Sequence, residues 1–216
     1  MSESTEMYLL TIYKLNLEHG RAGNSQMAQR LGVSTASITE MVKKLAEKGL
    51  VERKGRGLYL RPKGEKIALK VLRKHRLAER LLTDHLKIPW DQAHEQSCRL
   101  EHILADNVVD ALDDFLGHPA TCPHGHPIPD REGTMAIQEA PPLSEFRDGS
   151  RVEVVRVSEE SLEVLRYLDE IGLKPGRQLL IEKVAPFEGP LLIRIDDASL
   201  PLSRAIARKV WVKPAG

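Results

Sequence analysis

Residues 25–60 read SQMAQRLGVSTASITEMVKKLAEKGLVERKGRGLYL, and the order of caps, glycines and apolar positions in this stretch decides the fold of the N-terminal third. Ser25 is placed to cap a short helix over 26–31 with Met27, Ala28 and Leu31 on its apolar side, and Gly32 ends it. Ser34 caps a second helix over 36–48, where Ile38, Met41, Val42 and Leu45 recur at helical spacing until Gly49 stops it. Two short strands, 50–53 and 58–60, then flank the tight turn Lys54-Gly55-Arg56-Gly57. With a preceding helix over 5–17, carrying Leu9, Leu10, Ile12, Tyr13 and Leu17, the pattern is a winged helix-turn-helix.

Such a unit places its second helix in the major groove of DNA and its wing on the backbone. The outward residues of that helix are Ser34, Thr35, Ser37, Thr39, Glu40, Lys43 and Lys44. The short polar groups suit base edges or phosphates, whereas Lys43, Lys44, Lys54 and Arg56 suit phosphates. A charged helix face can also be merely solvated, but here charge agrees with pattern. The chain carries 32 basic and 31 acidic residues, net +1, so affinity for a polyanion must come from clustering. Between Lys43 and Arg76 thirteen Lys/Arg face three acids, Glu47, Glu52 and Glu65, and the acids from Asp106 to Asp114 restore neutrality later.

A chain of 216 residues with 41% hydrophobic content can build one large core or two to three small ones. The N-terminus MSESTEMYLL has no basic segment before an apolar run, and no stretch of about 18 apolar residues occurs anywhere. The expectation is a cytoplasmic protein with no membrane partner. Two cysteines do not make a disulfide framework and stay available for metal or packing.

The middle of the chain reads as two long helices, 63–85 and 91–116, the second capped by Asp91. In DQAHEQSCRLEHILADNV, residues 91–108, the residues His94, Cys98, Glu101 and His102 fall on one helical stripe if the helix is continuous. A stripe of imidazole, thiol and carboxylate suits a divalent transition metal; the plainer alternative buries Cys98 as a small hydrophobe and solvates the rest. His75 and Glu79, four apart in RKHRLAERLLTDHL, could join His94 in a second site, leaving Cys98, Glu101 and His102 for the first. The two helices carry more apolar residues than a small monomeric domain buries, which predicts a homodimer facing two DNA half-sites.

Residues 117–130, GHPATCPHGHPIPD, read as loop, and Cys122, His124 and His126 are taken as loop residues rather than as a metal site of their own. Residues 131–149 read as linker. From 150 onward, RVEVVRVS, RQLLIEKVAPF, PLLIRID and ARKVWVKP are strands, with a helix in SEESLEVLRYLDEIGLKPG, suggesting a small SH3-like barrel. No phosphate loop, nucleophile elbow or repeat is present.

TEMYLLTIYKL at residues 5–15, KHRLAERLLTD at 74–84 and the H-x3-C-x2-E-H pattern at 94–102 together resemble the diphtheria toxin repressor family of metal-dependent transcriptional regulators, over essentially the whole chain. The resemblance implies a mainly α protein with a small β part: a winged helix-turn-helix domain (1–62), a helical dimerisation and metal-binding domain (63–130), a linker (131–149) and an SH3-like, FeoA-like β-barrel (150–216). It implies that Met7 joins Cys98, Glu101 and His102 in a regulatory site and that His75, Glu79 and His94 form an ancillary one. In three-domain members the SH3-like domain lends two side chains to that ancillary site; the matching positions here are Glu160 and Glu163, where Glu163 replaces an amide usual in iron-sensing relatives. The implied protein is not an enzyme. It is a repressor with two Mn(II) or Fe(II) sites per subunit, binding a palindromic double-stranded operator as a homodimer and controlling metal homeostasis genes. Manganese-sensing members carry carboxylates where Met7 and Cys98 stand, so sulfur points toward Fe(II), yet a mixed S, N, O site also accepts later divalent ions in vitro. Iron and manganese both stay open. Two other classes use the same residues: a metallohydrolase, which needs an open coordination position and a general base that no H-E-x-x-H motif supplies, and a winged-helix regulator answering an organic ligand or oxidation of Cys98.

Overall fold

The computed structural model describes residues 2–136, 139–158 and 161–215, and the chain divides into two compact units. Unit 1 comprises Met1–His75, Cys98–Val109 and Pro129–Met135; unit 2 comprises Arg76–Ser97, Asp110–Ile128 and Ala136–Gly216.

Unit 1 opens with α1 (Glu3–His19), α2 (Asn24–Leu31) and α3 (Thr35–Glu47), followed by β1 (Val51–Lys54) and β2 (Gly57–Leu60). Ser34 caps α3 as its position dictates, its Oγ accepting from the Ser37 N–H at 3.1 Å. The cap expected of Ser25 is not used. Gly23 is the N-cap of α2, and the Gln26 side chain accepts from the Gly23 N–H at 3.0 Å, so the helix starts two residues early on a backbone that needs no side-chain cap. Leu9, Ile12, Met27, Ile38, Leu45, Leu50, Leu58 and Leu72 form the fully buried heart of this unit. The antiparallel hairpin pairs Val51 with Leu60 and Lys54 with Gly57. The next helix, α4 (Pro62–Arg80), leaves the hairpin so closely that a Cβ on Gly64 would lie 2.1 Å from the Leu50 carbonyl oxygen, which only glycine allows.

Two helix boundaries differ from the periodicity. α4 gives way at Leu81 to a π-helical turn, Leu81–His85, and the long second helix is two: α5 (Trp90–Leu100) and α6 (Asp106–Phe115). No glycine or proline marks this second break. It is held from outside the segment, by Lys74 Nζ donating to the Leu104 carbonyl at 2.6 Å and by Lys70 pairing with Asp106 at 2.5 Å. Asp91 lies inside the first turn of α5 rather than capping it, and its carboxylate accepts from Arg166 at 2.8 Å.

In unit 2, β3 (Arg151–Val157), β4 (Gln178–Val184), β5 (Leu191–Ile195), β6 (Ala198–Leu202) and β7 (Val210–Pro214) form one antiparallel sheet in the order β6-β5-β4-β3-β7. α7 (Leu162–Glu170), capped by Ser161, and the short α8 (Arg204–Ala207) complete it. Alternation sets the inner face: Leu191, Ile193 and Ile195 are buried while Leu192 and Arg194 are exposed. β6 was not expected, because Pro201 interrupts a strand pattern; at the sheet edge a missing N–H removes no ladder bond. Within the stretch read as linker, Leu143 is fully buried in this core and Pro142 bridges to Trp211.

Candidate metal centres and nucleic-acid face

α3 turns Ile38, Val42 and Leu45 inward, positions four and seven apart, and that choice leaves Ser34, Thr35, Ser37, Thr39, Glu40, Lys43 and Lys44 exposed on the opposite side. Lys54 and Arg56 are exposed on the hairpin. Lys44 donates to Glu40 at 2.7 Å and thereby holds the Glu40 carboxyl below its ordinary value. Lys54 sits 2.5 Å from Glu52 and over the Tyr59 ring. These pairs are solvent-exposed and contribute little to stability, so both lysines are available to a polyanion.

The first cluster of metal-ligand types lies within unit 1, around Glu101. His75 Nδ1 donates to Glu101 Oε2 at 2.6 Å, and His102 Nε2 lies 3.2 Å from Glu101 Oε1. The other ring nitrogen of His102 donates to Glu6 Oε2 at 2.8 Å. Glu101 is 1% exposed. Burial alone would raise its carboxyl, but the adjacent His102 and His75 imidazoles outweigh burial and hold it below the ordinary value. The Glu101 carboxylate correspondingly raises His102 to about 9, against the effect of burial, with Glu6 adding to it. Glu101 and His102 follow the last residue of α5, so they reach one another from a turn rather than from a continuous helical stripe. Cys98 is a half-buried free thiol on α5, and Met7 is half-buried on α1 beside Glu6.

A second cluster lies within unit 2. Glu79 Oε1 accepts from His94 Nδ1 at 2.8 Å and lies 3.3 Å from His124 Nδ1, and one donor atom from each of the three residues lies within 4.8 Å of the others. Glu79 and His124 are fully buried and His94 is partly open. Trp90 stacks on His124 with ring centroids 5.0 Å apart, and the buried His124 Nε2 has no hydrogen-bond partner among the described residues. Burial opposes a charge on His124, yet the Glu79 carboxylate and Cys122 hold its pKa well above the ordinary value. The three loop residues do not converge as a set: Cys122 Sγ is 3.9 Å from His124 Nδ1, while His126 Nε2 donates to the Val157 carbonyl at 2.9 Å. Glu163 is exposed on α7, and Glu160 lies outside the described residues.

Sequence reasoning missed Glu6 and His124. Glu6 could have been found as the neighbour of Met7 in TEMYL. His124 carried only the signal of a histidine in a Pro/Gly loop, which says nothing about where the loop returns.

The donor chemistry of both clusters fits a divalent transition ion. Ligands bound at about 2.1 Å sit roughly 3.0–3.5 Å from one another in octahedral or tetrahedral geometry, and the carboxylate–imidazole spacings of 2.6 to 3.3 Å are comparable. Protons bridging carboxylate and imidazole occupy positions where a cation replaces them. Among the described residues Asp113, Asp114 and His118 form a third group of ligand types, but the last two are exposed.

Residues 1–58 match the family model for the iron dependent repressor N-terminal DNA binding domain, residues 61–130 the iron dependent repressor metal binding and dimerisation domain, and residues 142–214 the FeoA domain. The iron-dependent repressor IdeR of Mycobacterium leprae (strain TN) is 34% identical over 96% of this chain and 96% of its own. The diphtheria toxin repressor of Corynebacterium glutamicum is 30% identical over 98% of this chain and 96% of its own. A manganese-dependent transcriptional repressor solved in complex with manganese superposes with a TM-score of 0.91 at 32% identity, covering 98% of this chain and 100% of that one. Near-complete coverage by such relatives, with all three domain families in order along one chain, establishes that this chain belongs to the diphtheria toxin repressor family of iron-dependent repressors.

Proposed function

We propose that this chain is a transcriptional repressor that binds a palindromic operator as a homodimer when Fe(II) or Mn(II) is bound, and so controls metal homeostasis genes. The observation that carries the reading is the cluster around Glu101, because His102 reaches Glu6 on α1 at 2.8 Å, joining the ligand-bearing segment to the first helix of the DNA-binding fold. Met7, Cys98, Glu101 and His102 would hold the regulatory ion; His75, Glu79 and His94 the ancillary one, where His124 is the residue added by geometry. A bound divalent ion would supply a crosslink stronger than the present hydrogen bonds. Glu101 and His102 would then fix α1, and with it the packing of α2 and α3, in one arrangement. By linkage, whatever factor metal adds to operator affinity the operator adds to metal affinity.

Sulfur from Met7 and Cys98 favours Fe(II) over Mn(II) at the regulatory site. The division at residues 62, 130 and 149, the cytoplasmic location, the SH3-like closure of the C-terminal sheet and a contribution of Glu160 and Glu163 to the ancillary site belong to the same reading. The dimer reading is in keeping with α6, which exposes Val108 and Phe115 at 46% and 64%, seven residues apart on one stripe that a second copy would cover. No helix among the described residues is long and apolar enough to cross a membrane.

The test is operator binding by gel shift with and without Fe(II) or Mn(II). Tight binding only with metal is expected. Equal binding after thorough chelation sinks the proposal and favours a regulator that responds to something else.

A further inference from the structure

Three polar side chains from three elements of unit 1, the half-buried Asn24 and the exposed Thr39 and Arg53, form one directional chain beside the outward face of α3. Arg53 on β1 donates to Asn24 Oδ1 at 3.2 Å, and Asn24, the first residue of α2, donates from Nδ2 to Thr39 Oγ1 at 3.1 Å. Thr39 in turn donates its hydroxyl hydrogen to the Thr35 carbonyl at 2.9 Å. The polarity has one solution. A carbonyl only accepts and a guanidinium only donates, so the amide oxygen of Asn24 must face Arg53 and its NH2 must face Thr39.

Asn24 has no capping duty, since Gly23 is the N-cap of α2. Hydrogen bonds in water add little to stability because solvent replaces them. The same bonds gain consequence where a partner excludes that water, and all three residues border the face read as the DNA-binding one. With its proton committed to Thr35 and one lone pair to Asn24, Thr39 offers a partner one lone pair and a methyl group. In the major groove that matches the exocyclic amine of cytosine or adenine and the methyl of thymine, and it mismatches the acceptors of guanine. Arg53 keeps its remaining N–H groups for a phosphate.

We propose that Asn24 is a specificity-determining positioning residue: it holds Thr39 as a hydrogen-bond acceptor toward one base pair of each half-site and holds Arg53 in register as a phosphate donor. This rests on the DNA-binding function proposed above. Neither Asn24 nor Arg53 is among the residues that helical periodicity turns outward on α3, so their part is visible only when the wing, α2 and α3 are brought together.

The experiment uses manganese-loaded full-length protein and a palindromic duplex that the wild type selects from a randomised pool, with every base pair of the half-site then substituted in turn at several salt concentrations. For the wild type, replacing the base pair opposite Thr39 weakens binding about tenfold or more, within the usual range for one mismatched pair. In Asn24→Ala the penalty at that pair alone falls below about threefold, the other pairs being unchanged. In Asn24→Asp the carboxylate neutralises Arg53 and takes the Thr39 proton, so the salt slope of log affinity also becomes shallower by about 0.9 per half-site. Thr39→Val, which keeps the shape of the side chain, should lose the same single-pair discrimination and serves if an Asn24 variant melts early. Unchanged base profiles and salt slopes in both Asn24 variants overturn the proposal, as does a loss of affinity spread evenly over all pairs. A metal-loaded wild type with no base preference overturns the DNA-binding reading itself, and the failure then shows in the wild type rather than in the variants.

Discussion

In the metal-free protein His102 should titrate near pH 9, and its proton should be both a source of stability and the competitor of the metal. The ring is 5% exposed on its side chain; its Nδ1 donates to Glu6 and its Nε2 lies 3.2 Å from Glu101 Oε1, so the cation has a carboxylate on either side. The gap between 6.5 and about 9 corresponds to about 3 kcal/mol at most. Because the folded value lies above the unfolded one, this stability is fully present below about pH 6.5 and is lost as pH rises through 9. At pH 7 the proton lowers the apparent metal affinity of this ring by about two powers of ten, so affinity at the regulatory site should climb about tenfold per pH unit up to 9. The direct assay is an NMR titration of the His102 ring in chelated protein, alongside urea unfolding by far-UV circular dichroism at pH 6.5, 8 and 9.5 for wild type and His102→Gln. Expected are a midpoint near 9, a lower midpoint in Glu6→Gln, and a loss of stability with pH that His102→Gln lacks. A midpoint near 6.5, or identical pH dependence in wild type and variant, refutes the reasoning.

Replacing Cys98 by Ala or Glu101 by Gln should abolish the effect of metal on operator affinity while leaving the dimer intact by sedimentation; a variant that keeps the full metal response would remove that residue from the ligand set. Lys54→Ala should weaken binding to all duplexes alike and make the salt slope shallower by about 0.9 per lost phosphate contact; a sequence-dependent effect would contradict its role. Gly64→Ala should lower the thermal midpoint by the cost of overpacking, about 1–3 kcal/mol, because the new methyl would sit 2.1 Å from a backbone oxygen; an unchanged midpoint would mean that α4 and the hairpin are not in such close contact.

Where the sequence succeeded, the determinants were local. Ser34, the spacing of Ile38, Val42 and Leu45, and the glycines around the wing act within a few residues, so α3 and the hairpin could be drawn from the chain alone. Where it failed, the determinants came from elsewhere. The break between α5 and α6 carries no breaker residue and depends on Lys74 capturing the Leu104 carbonyl at 2.6 Å, thirty residues away in sequence. β6 was hidden because Pro201 is tolerated only at an edge, and edges are defined by sheet order. Asp91 looked like a cap and instead pairs with Arg166.

The same division holds for the candidate site. The inventory of donors, two sulfurs, several imidazoles and carboxylates at recognisable spacings, is a property of the sequence, because helical periodicity links residues three and four apart. Which donor faces which was decided by the tertiary structure: His75 meets Glu101 across 26 residues and His102 meets Glu6 across 96, while His124 enters from a loop whose composition announced only a turn. Local rules determine which way a side chain points from its own helix; only the packing of distant segments brings a carboxylate between two imidazoles and shuts water out around it.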